Sequence, residues 1–365
     1  MSRKIVRQIS TKYKKYIMNS HKIPLTFIIK YIRKNFIINE RKVIKLHRKK
    51  NLYEKIYNID NIISSYEEVC KNTKNKNKVD KYKEYKCIYI ARIYAILKTK
   101  SYIPGPYNKF TIYEPKERKV ASQGMQDKTI NHLVARYILH PALLPCLLDV
   151  NVASRKNLGT SKGLEFFNNF TKKCKINYKT YYILKCDISK FFASINQDIL
   201  KEKLTKRIKD QDALDIVFKI IDSEPSGLNI GSMTSQVLAI FYLNDMDHFI
   251  KENLKIKYYL RYQDDFLLFH PSKSYLKYCL EEIKKFLANE KLVLNNKTRL
   301  YKCTNNFIFI GRNKNGKYTK YRDVRRKLRK KRYLYQNNKI RLNNFACSLI
   351  SYENLSSKKG ALLAP

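Results

Sequence analysis

The chain has little negative charge and no tryptophan. Only 30 of its 365 residues are Asp or Glu, against 76 Lys or Arg, so its formal net charge is +46. Such a charge implies a polyanionic partner whose binding weakens as salt rises. An AT-rich genome would raise the number of lysine codons, but it would not explain why acids are so scarce.

The sequence also has few signals for zinc or for a membrane. Its eight cysteines include no C-x-x-C pair, and its six histidines show no ligand spacing, which disfavours a zinc site and fits a reducing compartment. No apolar run is long enough to span a bilayer, and the basic start lacks the apolar core and cleavage site of a signal peptide. We therefore expect a cytoplasmic protein that does not associate with a membrane.

The segment Tyr262-Gln263-Asp264-Asp265 carries the strongest chemical signal. It lies between two runs of aromatic and aliphatic residues, which predict two β-strands joined by a hairpin turn. Adjacent carboxylates repel each other unless a cation offsets their charge, and Mg²⁺ takes oxygen ligands. A solvated turn is the simpler interpretation of this pair considered alone.

A third acid, Asp187, lies near the end of another predicted buried strand, ILKCDI. Two-metal phosphoryl transfer uses two ions about 4 Å apart, bridged by carboxylates from neighbouring strands. The separation between Asp187 and Asp264 leaves room for a helical crossover and a return strand. Asp187 could instead only cap the helix that follows it.

Residues 227–236 (GLNIGSMTSQ) lie between these acids and precede an apolar run. The apolar positions from Val237 to Phe249 approximate one helical face. Ser232 or Thr234 could cap this helix, and Gly231 would let the backbone approach a ligand closely.

The order of these motifs resembles the palm of reverse transcriptases. The pattern is acid–Phe-Phe, then Gly-x-x-x-Ser-Gln, then Tyr-x-Asp-Asp, and the resemblance covers roughly residues 50–312. It implies an α+β right-hand polymerase fold with fingers, an antiparallel palm sheet and a small helical thumb. Four further segments resemble family elements: the fingers hairpin (110–120), a second fingers segment (151–160), the lysine-bearing segment (292–298) and the primer-grip hairpin (307–312).

The resemblance, together with composition, predicts the organisation of the chain. A basic N-terminal extension occupies 1–50, fingers 51–180, and palm 181–300 with a helical insertion at 197–222. A primer-grip hairpin and basic thumb occupy 301–365. Within the fingers, the polar run 72–78 predicts a loop between helices.

The resemblance also assigns residue roles. Asp187, Asp264, Asp265 and the carbonyl of Ile188 would bind two Mg²⁺ ions, for which Mn²⁺ can substitute. Around the nucleotide, Lys116 and Arg118 would contact the triphosphate, Phe192 would be a steric gate against the ribose 2′-hydroxyl, and the remaining contacts would be Ile230, Gly231 and Gln236. Lys297 would donate a proton to pyrophosphate. Nucleic-acid phosphates would be contacted by Arg325, Arg326, Arg329 and Lys330.

The sequence Ile-Gly-x-x-x-Ser-Gln is similar to that of reverse transcriptases from diversity-generating retroelements, whereas many retron and group II intron enzymes carry Pro-Gln-Gly-x-x-x-Ser-Pro. This implies error-prone copying of a template RNA into cDNA for targeted diversification. The implied partners are template RNA, an RNA/DNA primer duplex, deoxynucleoside triphosphates and a small basic accessory variability protein. Asp127-Lys128 departs from the Asp-Arg usual in the family.

Two other functions stay open. A defence-associated or retron-like bacterial reverse transcriptase would carry the same motifs. A non-catalytic RNA-binding protein could also use a polymerase scaffold, although retaining three mutually repelling acids argues against it.

Overall fold

A four-stranded antiparallel sheet and one of its connecting turns carry the three acids. The computed structural model describes residues 49–112, 118–305, 307–310, 312–313 and 321–350. Most of the predicted N-terminal extension and the candidate residue Lys116 lie outside the described residues. The strands of the central sheet, in spatial order, are β4 (Tyr258–Tyr262), β5 (Asp265–His270), β3 (Tyr182–Asp187) and β6 (Arg299–Lys302).

Successive side chains of these strands point to opposite faces of the sheet. On one face, Ile183, Leu260 and Leu267 belong to a core with Phe167 and other apolar residues. The odd–even alternation sends Leu184, Phe266 and Leu268 into the larger core on the other face. Because both faces are covered there, β3, β4 and β5 are rich in apolar residues, as their sequence predicts, whereas the edge strand β6 is half basic.

Helices and short hairpins surround the sheet. The α-helices are α1 (Ile59–Asn72), α2 (Lys76–Glu84), α3 (Lys86–Lys98), α4 (Met125–Leu133), α5 (His140–Leu143), α6 (Thr160–Asn177), α7 (Phe191–Ser194), α8 (Gln197–Thr205), α9 (Gln211–Asp222), α10 (Met233–Tyr242), α11 (Asn244–His248), α12 (Lys273–Asn289) and α13 (Tyr321–Gln336). Two hairpins are formed by β1 (Asn108–Ile112) with β2 (Arg118–Ser122) and by β7 (Ile308–Phe309) with β8 (Arg312–Asn313).

Shorter helical turns complete the described part of the chain. Two are 3₁₀ turns, Tyr53–Tyr57 and Leu144–Cys146, and two are π-helical, Val134–Leu139 and Phe249–Asn253. Residues 342–350 form a further helix after α13. Within the described ranges, no helix is both long enough and apolar enough to cross a membrane.

Two local predictions were wrong. The loop predicted at 72–78 is shorter, because α2 already begins at Lys76 with the Asn75 side chain accepting a hydrogen bond from the Lys78 amide. The apolar run after Gly231 is not one amphipathic helix: α10 ends at Tyr242, and Phe249 begins a separate π-helical turn. Eight of the ten α10 residues are buried, so a single apolar face does not describe this helix.

Candidate active site

The end of β3 brings the acids onto one edge of the sheet. Asp187 is the last residue of β3 and lies directly opposite Asp265, the first residue of β5. The amide of Ile188 donates to the carbonyl of Asp264 at 3.3 Å, and the amide of Asn295 donates to the carbonyl of Asp187 at 2.6 Å. The structure thus confirms the predicted hairpin and strand end and brings Asp187, Asp264 and Asp265 together.

The Asp265 carboxylate has a cationic partner that the sequence interpretation missed. The ammonium of Lys185 donates to both carboxylate oxygens, at 2.6 and 2.7 Å. Burial raises the pKa of the Asp265 carboxyl to about 6; Lys185 opposes this rise, and the charges of Asp187 and Asp264 add to it. The charges of Asp187 and Asp264 therefore act on Asp265 in the direction that a bound cation would oppose.

The donor set fits a hard divalent cation. Three carboxylates and a backbone carbonyl at Ile188 supply the oxygen ligands that Mg²⁺ prefers, and the mutual repulsion at Asp265 is the electrostatic condition that a cation relieves. Across the described residues, however, no group of three or more His, Cys, Asp or Glu side chains is arranged to hold a metal ion. Asp265 would have to exchange Lys185 for the ion.

A buried ion pair lies directly beneath the hairpin turn. The Arg261 and Asp247 side chains are both 0 % exposed and meet at 2.6 Å. The same guanidinium donates to the carbonyl of Gln263 in the turn at 3.0 Å and to the carbonyl of Ile240 in α10 at 3.0 Å. Tyr259 donates its hydroxyl to Asp247 at 2.6 Å. Arg261 therefore ties the turn that carries Asp264 and Asp265 to α10 and α11.

The outer side of the turn is held by amide and hydroxyl groups. Gln263 adopts a left-handed backbone conformation with φ of 56° and donates its side-chain amide to Ser154 Oγ at 2.8 Å. Ser154 in turn donates to Gln236 Oε1 at 3.4 Å. The predicted fingers segment 151–160 and the predicted nucleotide contact Gln236 thus meet at the Tyr-x-Asp-Asp turn.

The Gly231 segment lies against the β1–β2 hairpin. The amide of Ala121 donates to the carbonyl of Ile230 at 3.4 Å. Gly231 has a φ of +122°, and a Cβ there would lie 3.2 Å from the Ala121 carbonyl oxygen, so both conformation and space favour glycine. Ile230 is half-buried.

Ser232 is the N-cap residue of α10, but its side chain does not cap the helix. Its hydroxyl instead donates to Asn131 Oδ1 at 3.0 Å, and Thr234 donates to the same oxygen at 2.6 Å. These buried bonds join α10 to α4, and the prediction that the Ser232 or Thr234 side chain caps the helix was wrong.

Phe192 lies five residues after Asp187, on the short helix α7. It is half-buried against the main core, and its ring contacts that of Phe191 edge-on, with 5.7 Å between ring centroids. Its position near the end of β3 is compatible with the predicted sugar gate, which stays a prediction.

The remaining candidates lie farther from the acids in the chain. Lys297 is exposed, and its amide donates to Asn295 Oδ1 at 3.1 Å, two residues from the contact with Asp187. Arg118 is exposed and pairs with Ile112 in the β1–β2 hairpin. Arg326, Arg329 and Lys330 are exposed on α13, which also contains Arg325.

Residues 108–322 match the model of the reverse transcriptase (RNA-dependent DNA polymerase) family, which is more than half of the chain. The chain belongs to the reverse transcriptase family. The matched domain is that of an RNA-dependent DNA polymerase, a nucleotidyltransferase, and the predicted right-hand polymerase fold is confirmed. Reverse transcriptase domains generally use divalent metal ions and bind template RNA.

Two solved structures are similar to this reverse transcriptase at low identity. Telomerase from Candida albicans, in complex with a TWJ fragment of telomeric RNA, is 13% identical with a TM-score of 0.43, over 58% of this chain and 44% of that chain. Apo telomerase from Candida tropicalis, truncated from its C-terminal domain, is 17% identical with a TM-score of 0.44, over 60% and 56%. The chain spans about half the length of these proteins. No curated protein matches it.

Two of the missed residues carried a detectable signal. Lys185 lies two positions before Asp187, so strand periodicity places both side chains on one face. Arg261 is a charge inside the otherwise apolar strand β4, and a buried charge needs a partner. The identity of that partner, Asp247 on α11, depends on tertiary packing that the sequence pattern does not define.

Proposed function

We propose that this reverse transcriptase copies a template RNA into error-prone cDNA for targeted sequence diversification. The observation that carries the catalytic part is the register of β3 against β5, which sets Asp187 opposite Asp265 with Asp264 bonded to Ile188. The diversification part rests on Ile230 and on the resemblance of its motif to diversity-generating retroelement enzymes.

In this phosphoryl transfer the protein itself makes and breaks few covalent bonds. Asp187, Asp264, Asp265 and the Ile188 carbonyl would hold the divalent ions. When bound, such ions would lower the pKa of the primer 3′-hydroxyl and neutralise charge on the triphosphate. The chain's own residues position the reactants, which is the main task in phosphoryl transfer.

Each remaining candidate has a positioning or proton-transfer role in this proposal. Arg118, together with Lys116, holds the triphosphate, because a guanidinium offers paired donors to phosphate oxygens. Gly231 and Gln236 border the nucleotide, and Phe192 excludes a ribose 2′-hydroxyl by contact. Lys297 donates a proton to the departing pyrophosphate. In this proposal the fingers are residues 51–180, the palm is 181–300, and the primer-grip hairpin and thumb are 301–365.

Ile230 is the residue that the proposal connects to fidelity. Many reverse transcriptases have glutamine here, whose amide can hydrogen-bond near the nucleotide sugar, whereas isoleucine can only pack. A hydrogen bond contributes about 0.5 to 1.5 kcal/mol net, and about 1.4 kcal/mol corresponds to a tenfold change in discrimination. The absence of one or two such hydrogen bonds would lower selectivity by about tenfold. The half-buried position of Ile230 beside the β1–β2 hairpin supports this role.

Sequencing of cDNA made on one defined RNA by the wild type and by Ile230→Gln tests the proposal. We expect a high wild-type misincorporation rate, concentrated opposite template adenines, and a lower rate in Ile230→Gln. Ile199→Gln, at another partly buried isoleucine, is the control and should leave the rate unchanged. A faithful wild type would contradict diversification and favour a defence-associated or retron-like enzyme. Equal error rates in Ile230→Gln and the wild type would remove Ile230 from the mechanism.

A further inference from the structure

A loop between α9 and α10 presses against the backbone of Phe192. Gly227 has a φ of +66°, and a Cβ on it would lie 2.5 Å from the Phe192 carbonyl oxygen and 2.7 Å from Ala193 Cα. The amide of Leu228 donates to that same Phe192 carbonyl at 2.7 Å. The loop therefore contacts the chain at the proposed sugar gate as closely as a glycine allows.

One side chain holds this loop in shape. The amide nitrogen of Gln197, in the first turn of α8, lies 3.1 Å from the carbonyl of Ile221, 3.0 Å from that of Glu224 and 3.0 Å from that of Gly227. These carbonyls come from the end of α9 and from the loop itself. A single primary amide thus orders the turn that brings Gly227 and Leu228 to Phe192.

The loop also contacts the base of the β1–β2 hairpin. Glu224 pairs with Lys109 at 3.2 Å, and the hydroxyls of Ser223 and Tyr107 lie 2.8 Å apart. The loop is consequently held both by α8 and by the hairpin, and its residues Gly227 and Leu228 contact the backbone of Phe192.

We propose that Gln197 is a positioning residue for sugar selection, acting through the loop Ser223–Leu228 on the backbone of Phe192. This inference rests on the proposed gate role of Phe192 and goes beyond it, since Gln197 itself is not placed against the nucleotide. A steric gate discriminates by close contact, so loosening its backbone support should relax discrimination more than it slows polymerisation.

The test is the ratio of ribonucleotide to deoxynucleotide incorporation in single-turnover primer extension. Gln197→Leu keeps the approximate side-chain size but removes the donor, and we expect the ratio to rise about threefold to tenfold, the factor that one hydrogen bond supplies. Gln197→Lys restores a donor and should keep the ratio near that of the wild type. Gln211→Leu, at an exposed glutamine whose amide bonds to Asp215 on its own helix, is the matched control and should change nothing.

The outcomes separate this inference from the function it rests on. Phe192→Val is measured in parallel: if it raises the ratio while Gln197→Leu does not, the gate stands and the positioning role of Gln197 is wrong. If Phe192→Val leaves the ratio unchanged, the gate assignment fails and the inference fails with it. Equal thermal unfolding of Gln197→Leu and Gln211→Leu, with different sugar ratios, would distinguish positioning from a general loss of stability.

Discussion

At the edge of the sheet, some residues belong to the proposed catalytic site and others hold those residues in place. Asp187 and Asp265 lie opposite each other because they are register partners of β3 and β5. Lys185 and Arg261 each place a positive charge beside an acid, but in two different settings. Lys185 is partly exposed and contacts Asp265, which in the proposed function would also bind a metal ion. Arg261 is fully buried with Asp247 and holds the turn from below.

Removing one member of the buried pair should be costly. Asp247→Asn leaves the Arg261 guanidinium buried without a counter-charge, and we expect a loss of about 3 to 5 kcal/mol in the free energy of unfolding, measured by urea denaturation. Glu165→Gln, in an exposed pair with Lys162, is the control and should cost less than about 1 kcal/mol.

A double replacement separates stability from positioning. Asp247→Leu with Arg261→Met should recover much of the unfolding free energy, because an apolar pair can replace a buried ion pair. Primer extension should nevertheless stay low, since no guanidinium then holds the Gln263 carbonyl. Full activity in this stable double variant would show that Arg261 only stabilises the fold.

At the scale of elements, the carboxylate of Asp210 links the start of the described chain to α9. Asp210 caps α9 by accepting from the Ala213 amide at 3.1 Å, and its other oxygen accepts from the amides of Leu52 and Tyr53 at 2.7 and 2.9 Å. Burial alone would raise the pKa of Asp210, but these backbone donors outweigh it and lower the pKa.

This shift predicts the pH dependence of the attachment. Because the pKa is lower in the folded state, Asp210 stabilises the protein fully above the ordinary aspartate pKa of about 3.9, and this contribution disappears as the pH falls through the folded-state pKa. Asp210→Asn keeps one acceptor for the cap and should cost about 1 to 3 kcal/mol at pH 7. The difference from wild type, measured by urea unfolding, should shrink below about pH 4.

Asp198→Asn, at an exposed acid in the first turn of α8, is the control for this measurement and should have a smaller effect. A difference between wild type and Asp210→Asn that stays constant from pH 7 to pH 3 would contradict the assigned role of the Asp210 charge.

The helix α13 presents a second element-scale feature, a basic surface. Arg326, Arg329 and Lys330 are spaced so that they share one side of the helix, and Arg325 belongs to the same predicted phosphate-binding set. Replacing all four by Gln should flatten the slope of log affinity against log salt for an RNA/DNA duplex. Each phosphate that is no longer neutralised should reduce the slope by about 0.7 to 0.9.

The control for this charge change uses α12. Replacing Lys273, Lys277, Lys284 and Lys285 by Gln removes the same charge from exposed positions. If both quadruple variants change the salt slope equally, α13 makes no specific phosphate contacts and acts only through net charge.

At the scale of the whole molecule, the features that could be predicted from the sequence are those that local periodicity and motif order determine. Strand β3 ending at Asp187 and the turn at Asp264 follow from apolar runs interrupted by polar residues, and motif order indicated the polymerase fold. Ser232 or Thr234 was predicted to cap α10, but both hydroxyls bond to Asn131 from α4. The supporting roles of Asp247 and Gln197 were also missed, because their partners are distant in sequence and only packing brings them together.

The central claim, that the acids at the edge of the sheet carry polymerisation, is tested by primer extension with Asp264→Asn. Extension on an RNA template with Mg²⁺ should be abolished, while RNA binding and thermal unfolding stay near those of the wild type. Glu281→Gln, at an exposed acid on α12, should extend normally. Near-normal extension by Asp264→Asn would contradict the assignment of this edge as the active site.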